Sequence, residues 1–167
     1  MINKSKLEKK DFNLLEEILN RHPEWLEYTE NHPGSESTFN ITIPCPTTGN
    51  PPICIDRLGD GANVIYGPLF VDWYDLRKFV GASLGDWFEK DNNLYVDAID
   101  ILVDEITSER IIIAQWKVRL WGRKWGRINP NEYKSLFQME KILISFSWLG
   151  KFNFNYNGEW SEPFASA

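Results

Sequence analysis

The sequence predicts an α+β protein: an antiparallel sheet of about six strands, one amphipathic helix packed on a face, and two short helices at the N-terminus. Three observations carry this. Residues 38–45 alternate strictly, with Phe39, Ile41, Ile43 and Cys45 on one side and Asn40 and Thr42 on the other, which is the period of a half-buried strand. Residues 59–61 read Gly-Asp-Gly between two apolar runs, a hairpin signal. Tyr95, Ile99, Leu102, Val103 and Ile106 recur at steps of three and four, while Asp97, Asp100, Asp104 and Glu105 fill the other side, as in an amphipathic helix.

Taken in order, Asp11 suits the cap of a first helix over 12–21 that buries Phe12, Leu15, Ile18 and Leu19. Pro23 suits the first turn of a second helix over 23–30, which turns Trp25 and Leu26 inward. Residues 31–37 are a loop by composition. The strand over 38–45 follows, limited by Pro44 and Pro46, then a turn over 47–52, a strand over 53–58 and another over 62–66. Residues 67–75 continue that last strand beyond a kink, and 79–92 form a short helix or an aromatic-rich loop. After the acidic helix a long strand starts at Ile111, with Gly122 and Gly126 marking a turn and Asn129-Pro130-Asn131 opening a loop or short helical turn. Two closing strands are expected over 141–149 and 152–156, parted at Gly150. The organisation is a single domain, 1–167, made of a helical arm (1–36), a sheet-and-helix body (37–156) and a loosely held tail (157–167).

A chain of 167 residues that is 43% hydrophobic and 14% aromatic is long enough and apolar enough to close a core. Its net charge of −6 conceals an asymmetry. Residues 1–105 carry nine Lys/Arg against nineteen Asp/Glu, whereas 106–167 carry nine against five. The division reflects either pairing inside the fold or a negative surface that selects a basic partner. The first residues lack the apolar stretch of a signal peptide and no run reaches transmembrane length, so a cytoplasmic protein with reduced thiols is expected.

Chemistry is sparse. GxSxG, GxxxxGK[ST], GxGxxG and HExxH are all absent, and no cofactor or metal is expected. Cys45 and Cys54, with His22 and His32 elsewhere, make a poor zinc site and read as core or turn-flanking thiols. Asp72 and Asp75 flank Trp73-Tyr74, where a carboxylate beside rings can hold its proton, though capping or solvated roles are commoner. Asp97, Asp100 and Asp104 share a helix face that would suit a hard cation, against the default of a solvated face. The sharpest pattern is the basic-aromatic ladder Lys117, Arg119, Trp121, Arg123, Trp125 and Arg127. In an extended strand these six share one face, where cations beside indoles suit phosphate or carboxylate groups, or pair with acids of the same chain.

The order of these pieces resembles bacterial immunity proteins of polymorphic-toxin and contact-dependent-inhibition systems. The matching phrases are Val64-Ile-Tyr-Gly67, Phe70-Val-Asp-Trp-Tyr-Asp75, Asp97-Ala-Ile-Asp-Ile-Leu-Val-Asp-Glu-Ile106, Ser108-Glu-Arg-Ile-Ile-Ile113 with Trp116, and Ile144-Ser-Phe-Ser-Trp-Leu-Gly150-Lys-Phe. The likeness spans roughly 38–154. Families of this look carry histidine in the aromatic-acidic segment, and this chain has none there. The resemblance implies a non-catalytic protein that masks the active site of a cognate toxin, which a basic nuclease cleft would suit. It implies contacts at Asp72, Trp73, Tyr74 and Asp75, flanked by Asp97, Asp100 and Asp104. Two other readings stay open: a nucleic-acid module using the ladder from Lys117 to Arg127, and an enzyme whose carboxylates or histidines converge in a pocket.

Overall fold

In the computed structural model, residues 2–33, 35–58, 61–67, 73–75, 92–119 and 122–156 are described. The expectations for 76–91 and for the tail at 157–167 lie outside them. Among the described residues the fold is α+β, with three helices of seven or more residues and antiparallel strands in two sheets. The expected sheet of about six strands is thus divided. The chain forms two compact units: 1–44, 52–66 and 73–104 in the first, and 45–51, 67–72 and 105–167 in the second. The charge asymmetry follows this division. The first unit holds nine Lys/Arg against seventeen Asp/Glu, the second nine against seven.

The first unit opens with helix α1 (Lys9–Arg21), which buries Leu14, Leu15 and Ile18. Asp11 is not its cap. The helix begins earlier, after Glu8, which makes no side-chain capping bond, and Asp11 is buried within the first turn. A 3-10 turn over Pro23–Tyr28 replaces the expected second helix. With three residues per turn only one row of side chains faces inward, so Trp25 is buried while Leu26, expected inside, is 49% exposed.

The expected loop at 31–37 is a hairpin instead. Strand β1 (Thr29–His32) pairs antiparallel with β2 (Ser35–Ile43), with His32 opposite Ser35. Phe39 and Ile41 point into the core as their alternation predicts. Strand β3 (Ile53–Leu58) pairs with β2 and with β4 (Gly61–Tyr66), and Leu58 faces Gly61 across the predicted hairpin. The short β5 (Trp73–Asp75) pairs antiparallel with β4 at the edge of this sheet, Asn63 facing Asp75. The segment was expected to prolong β4; the chain has reversed before it. Helix α2 (Asn92–Thr107) buries Tyr95, Val96, Ala98, Ile99, Leu102 and Ile106, close to the predicted stripe.

The second unit is built on a three-stranded sheet of order β7-β6-β8. The long strand expected from Ile111 is two strands, β6 (Ile112–Val118) and β7 (Gly122–Ile128), joined around Arg119. Gly122 and Gly126 lie inside β7 rather than in the turn. Gly126 is small for a reason: an added Cβ would stand 3.3 Å from the Trp116 ring. Helix α3 (Pro130–Gln138) is longer than the expected turn. Asn129 accepts from the Asn131 and Glu132 amides while the Glu132 carboxylate accepts from the Asn129 amide, a complete capping box. Strand β8 (Ile142–Phe146) ends earlier than expected, and 152–156 supplies only a single bridge, Ser145 to Phe154. One face of the sheet is closed by Ile112, Ala114, Ile128 and Ile142, with Tyr133 and Leu136 of α3 and Phe152 and Phe154 packed against them.

Candidate functional site

The acidic face of α2 is the first site that the sequence singled out. Asp97, Ile101 and Asp104 are exposed along it, and Asp100 is half-buried beside them. Their spacing of four, three and four residues brings them to one side of the helix. Ile101 belongs to no buried stripe and is 50% exposed, so an apolar side chain stands beside Asp97 and Asp104.

Part of this charge is met internally. Arg21, the last residue of α1, donates from Nη1 to Asp97 Oδ1 at 2.6 Å and to Asp100 Oδ2 at 2.9 Å. These bonds, with Asp97 foremost, push the guanidinium pKa further up. Glu17 adds a carboxylate 3.7 Å from Arg21 Nε. His22 Nε2 lies 2.7 Å from the other oxygen of Asp100, its ring stacked on Trp25 with centroids 3.8 Å apart. The cation beside Asp97 and Asp100 is therefore an arginine, a position in which a metal ion would be repelled. Three carboxylates around one guanidinium leave the patch negative. Nothing in the local sequence showed this, because Arg21 and Asp97 are 76 residues apart.

Of the other predicted contacts, Asp72 lies outside the described residues. Trp73, Tyr74 and Asp75 are on β5, their side chains likewise outside the description.

The basic-aromatic ladder is folded in two. Lys117 faces Arg123 across the β6–β7 pair, Gln115 faces Trp125 and Ile113 faces Arg127. Directly opposed residues of an antiparallel pair share a side, so Lys117, Arg123, Trp125 and Arg127 remain together on one face of a hairpin. Lys117, Arg123 and Arg127 are exposed and Trp125 is half-buried. Arg119 occupies the turn, and Trp121 lies outside the described residues. Beside the hairpin runs a groove of about 770 Å³. Its floor is Trp116, Val118, Leu136 and Met139, and its polar rim is Lys117, Arg119, Glu140 and Lys141. Lys124 adds a cation 5.5 Å above the Trp116 ring.

Neither thiol is poised for nucleophilic work. Burial pushes the Cys45 and Cys54 pKa values up, which disfavours thiolate. Cys45 Sγ donates to the Trp148 carbonyl, and Cys54 lies near the Thr42 hydroxyl. His32 faces Asp56, its Nε2 3.0 Å from Oδ1. Among the described residues no group of three or more His, Cys, Asp or Glu could hold a metal ion, and no helix is long and apolar enough to cross a membrane.

Sequence reasoning missed Glu109. Its Oε1 accepts from Ser147 Oγ at 2.6 Å and from the amides of Leu149 and Lys151 at 3.0 and 3.1 Å. It anchors the turn after β8. Its signal in the sequence is only a carboxylate in the stretch between α2 and β6.

Comparison with known proteins found no matching family model, no matching curated protein and no matching solved structure.

Proposed function

We propose that this chain is a non-catalytic binding protein that acts as an immunity protein, inhibiting a cognate bacterial toxin in the cytoplasm by masking its active site. The observation that carries this reading is Ile101, half exposed beside Asp97 and Asp104 on the acidic side of α2. An interface uses an exposed apolar side chain as an anchor and the surrounding charge to steer encounter. The partner complementary to such a face is basic, as the substrate cleft of a nuclease is. Arg21 holds Asp97 and Asp100 in place and thereby lowers the ordering cost of binding.

The test is protection of cells that co-express this protein with any toxin found to be encoded beside its gene. The parent should protect, and Ile101→Ala combined with Asp104→Lys should not, at unchanged circular dichroism. Full protection by that variant rejects this face, and a parent that gives none rejects the immunity reading.

A second reading draws on the hairpin, where Lys117, Arg123 and Arg127 share a face with Trp125. Cations beside an indole suit single-stranded nucleic acid, with affinity that falls steeply with salt. A mobility shift at low salt that disappears in Lys117→Glu/Arg123→Glu would favour it. No shift at any salt concentration removes it.

A further inference from the structure

Strand β6 runs past the start of β8. The last pair between them is Trp116 with Ile142, so Val118 and the following Arg119 have no β8 residue alongside. A groove of about 770 Å³ remains there, with Trp116, Val118 and Met139 on its floor. Val118 and Met139 are 45% and 50% exposed. Lys117, Arg119 and Lys141 rim the groove against a single carboxylate, Glu140. None of these three cations has an ion-pair partner among the described residues. We propose that this groove docks a short acidic peptide segment of a partner protein, with leucine or aromatic side chains on the floor and carboxylates at the rim.

The charges and the floor select that occupant. The cations come from two places, the end of β6 and the residue before β8, so the complementary ligand carries several separated carboxylates. An arginine such as Arg119 takes a carboxylate through two parallel bonds. The floor is largely aliphatic, and its one ring, Trp116, already has Lys124 5.5 Å above it, so stacked bases find little ring surface there. Methionine is unbranched and polarisable, and a half-exposed Met139 suits a surface that moulds itself to peptide side chains. The rim is also positioned in advance. The Lys117 amide donates to the Lys141 carbonyl at 2.9 Å, and the Lys141 amide to the Leu136 carbonyl at 3.0 Å, which lowers the ordering cost of binding. The groove shares no residue with the acidic face of α2, so its occupant is independent of any partner of that helix.

Fluorescence anisotropy on the full chain tests this at low salt, with a fluorescein-labelled peptide of glutamate, leucine and phenylalanine as the probe. The parent should bind the probe saturably. Lys117→Glu/Lys141→Glu should weaken binding about ten-fold or more, with the urea midpoint of the fold unchanged. Should that variant be destabilised, Arg119→Glu makes the same reversal at an exposed turn residue. Met139→Gln keeps length and charge and should also weaken binding, because the floor loses an apolar contact. No saturable binding by the parent overturns the proposal, as does binding that survives the charge reversals. Equal affinity for polyglutamate of the same length reduces the contact to charge alone and overturns the groove as its seat. Tighter binding of single-stranded DNA or of phosphatidylglycerol vesicles, lost in the same variants, assigns the groove to that ligand and overturns the peptide.

Discussion

Arg57 and Asp11 form an ion pair sealed from water: Arg57 Nε donates to Asp11 Oδ1 at 2.7 Å, with the two side chains 1% and 0% exposed. Arg57 occupies the inward row of β3 that Ile53 and Ile55 begin, and Asp11 comes from the first turn of α1. The pair ties helix to sheet at this register. Desolvation of both groups offsets the Coulombic gain, so the pair contributes specificity more than net stability.

Breaking the pair should therefore cost far more than replacing it. Arg57→Met leaves Asp11 buried without its counter-charge and should destabilise the protein by about 3–5 kcal/mol. Asp11→Leu/Arg57→Met fills the same space with apolar groups and should recover most of that loss. Urea unfolding monitored by tryptophan fluorescence measures both. A double variant as unstable as the single one would show that the pair's attraction exceeds its desolvation cost.

The acid response of Asp11 follows from the same balance. Burial raises its pKa above the ordinary 3.8, and the opposing pull of Arg57 does not cancel this. A carboxyl whose folded pKa is raised contributes stability that is fully present below the unfolded pKa and is lost as pH rises through the folded one. Asp11→Asn has no such proton. The stability of the parent relative to Asp11→Asn should thus increase as pH falls from 7 toward 4. Urea midpoints compared at several pH values decide the sign; a relative stability that shrinks on acidification would mean that Arg57 wins.

The features legible in the sequence are those that local periodicity encodes. Phe39 and Ile41 alternate, Tyr95 to Ile106 recur at helical steps, and Leu58 pairs with Gly61 at the hairpin that the glycines announce. The division into two sheets was not legible, since strand pairing is decided between distant segments: β6 chooses β7 and β8, and β5 folds back on β4. Arg57 breaks the apolar alternation for the sake of a partner 46 residues away. The capping box at Asn129 and Glu132 was legible in principle, and its helix is simply longer than the turn it announced. For the site, the acidic side of α2 was visible, with Ile101 as its anomaly; Arg21 and His22, which hold Asp97 and Asp100, were not.

Glu109 sets backbone strain against hydrogen bonding. It has φ of +58°, a left-handed conformation at the end of α2 that glycine normally takes. Relief of that strain by Glu109→Gly is worth about 1 kcal/mol. The carboxylate it removes accepts three hydrogen bonds, and bonds to a charged group contribute about 1.5–3 kcal/mol each. The bonds should win: Glu109→Gly should lower stability by about 2 kcal/mol or more. The amides of Leu149 and Lys151 should lose protection in hydrogen exchange at the same time. Glu109→Gln retains an acceptor oxygen at the same reach and should fall between parent and glycine variant. A glycine variant more stable than the parent would mean that the left-handed backbone outweighs the bonds Glu109 makes to the turn at 147–151.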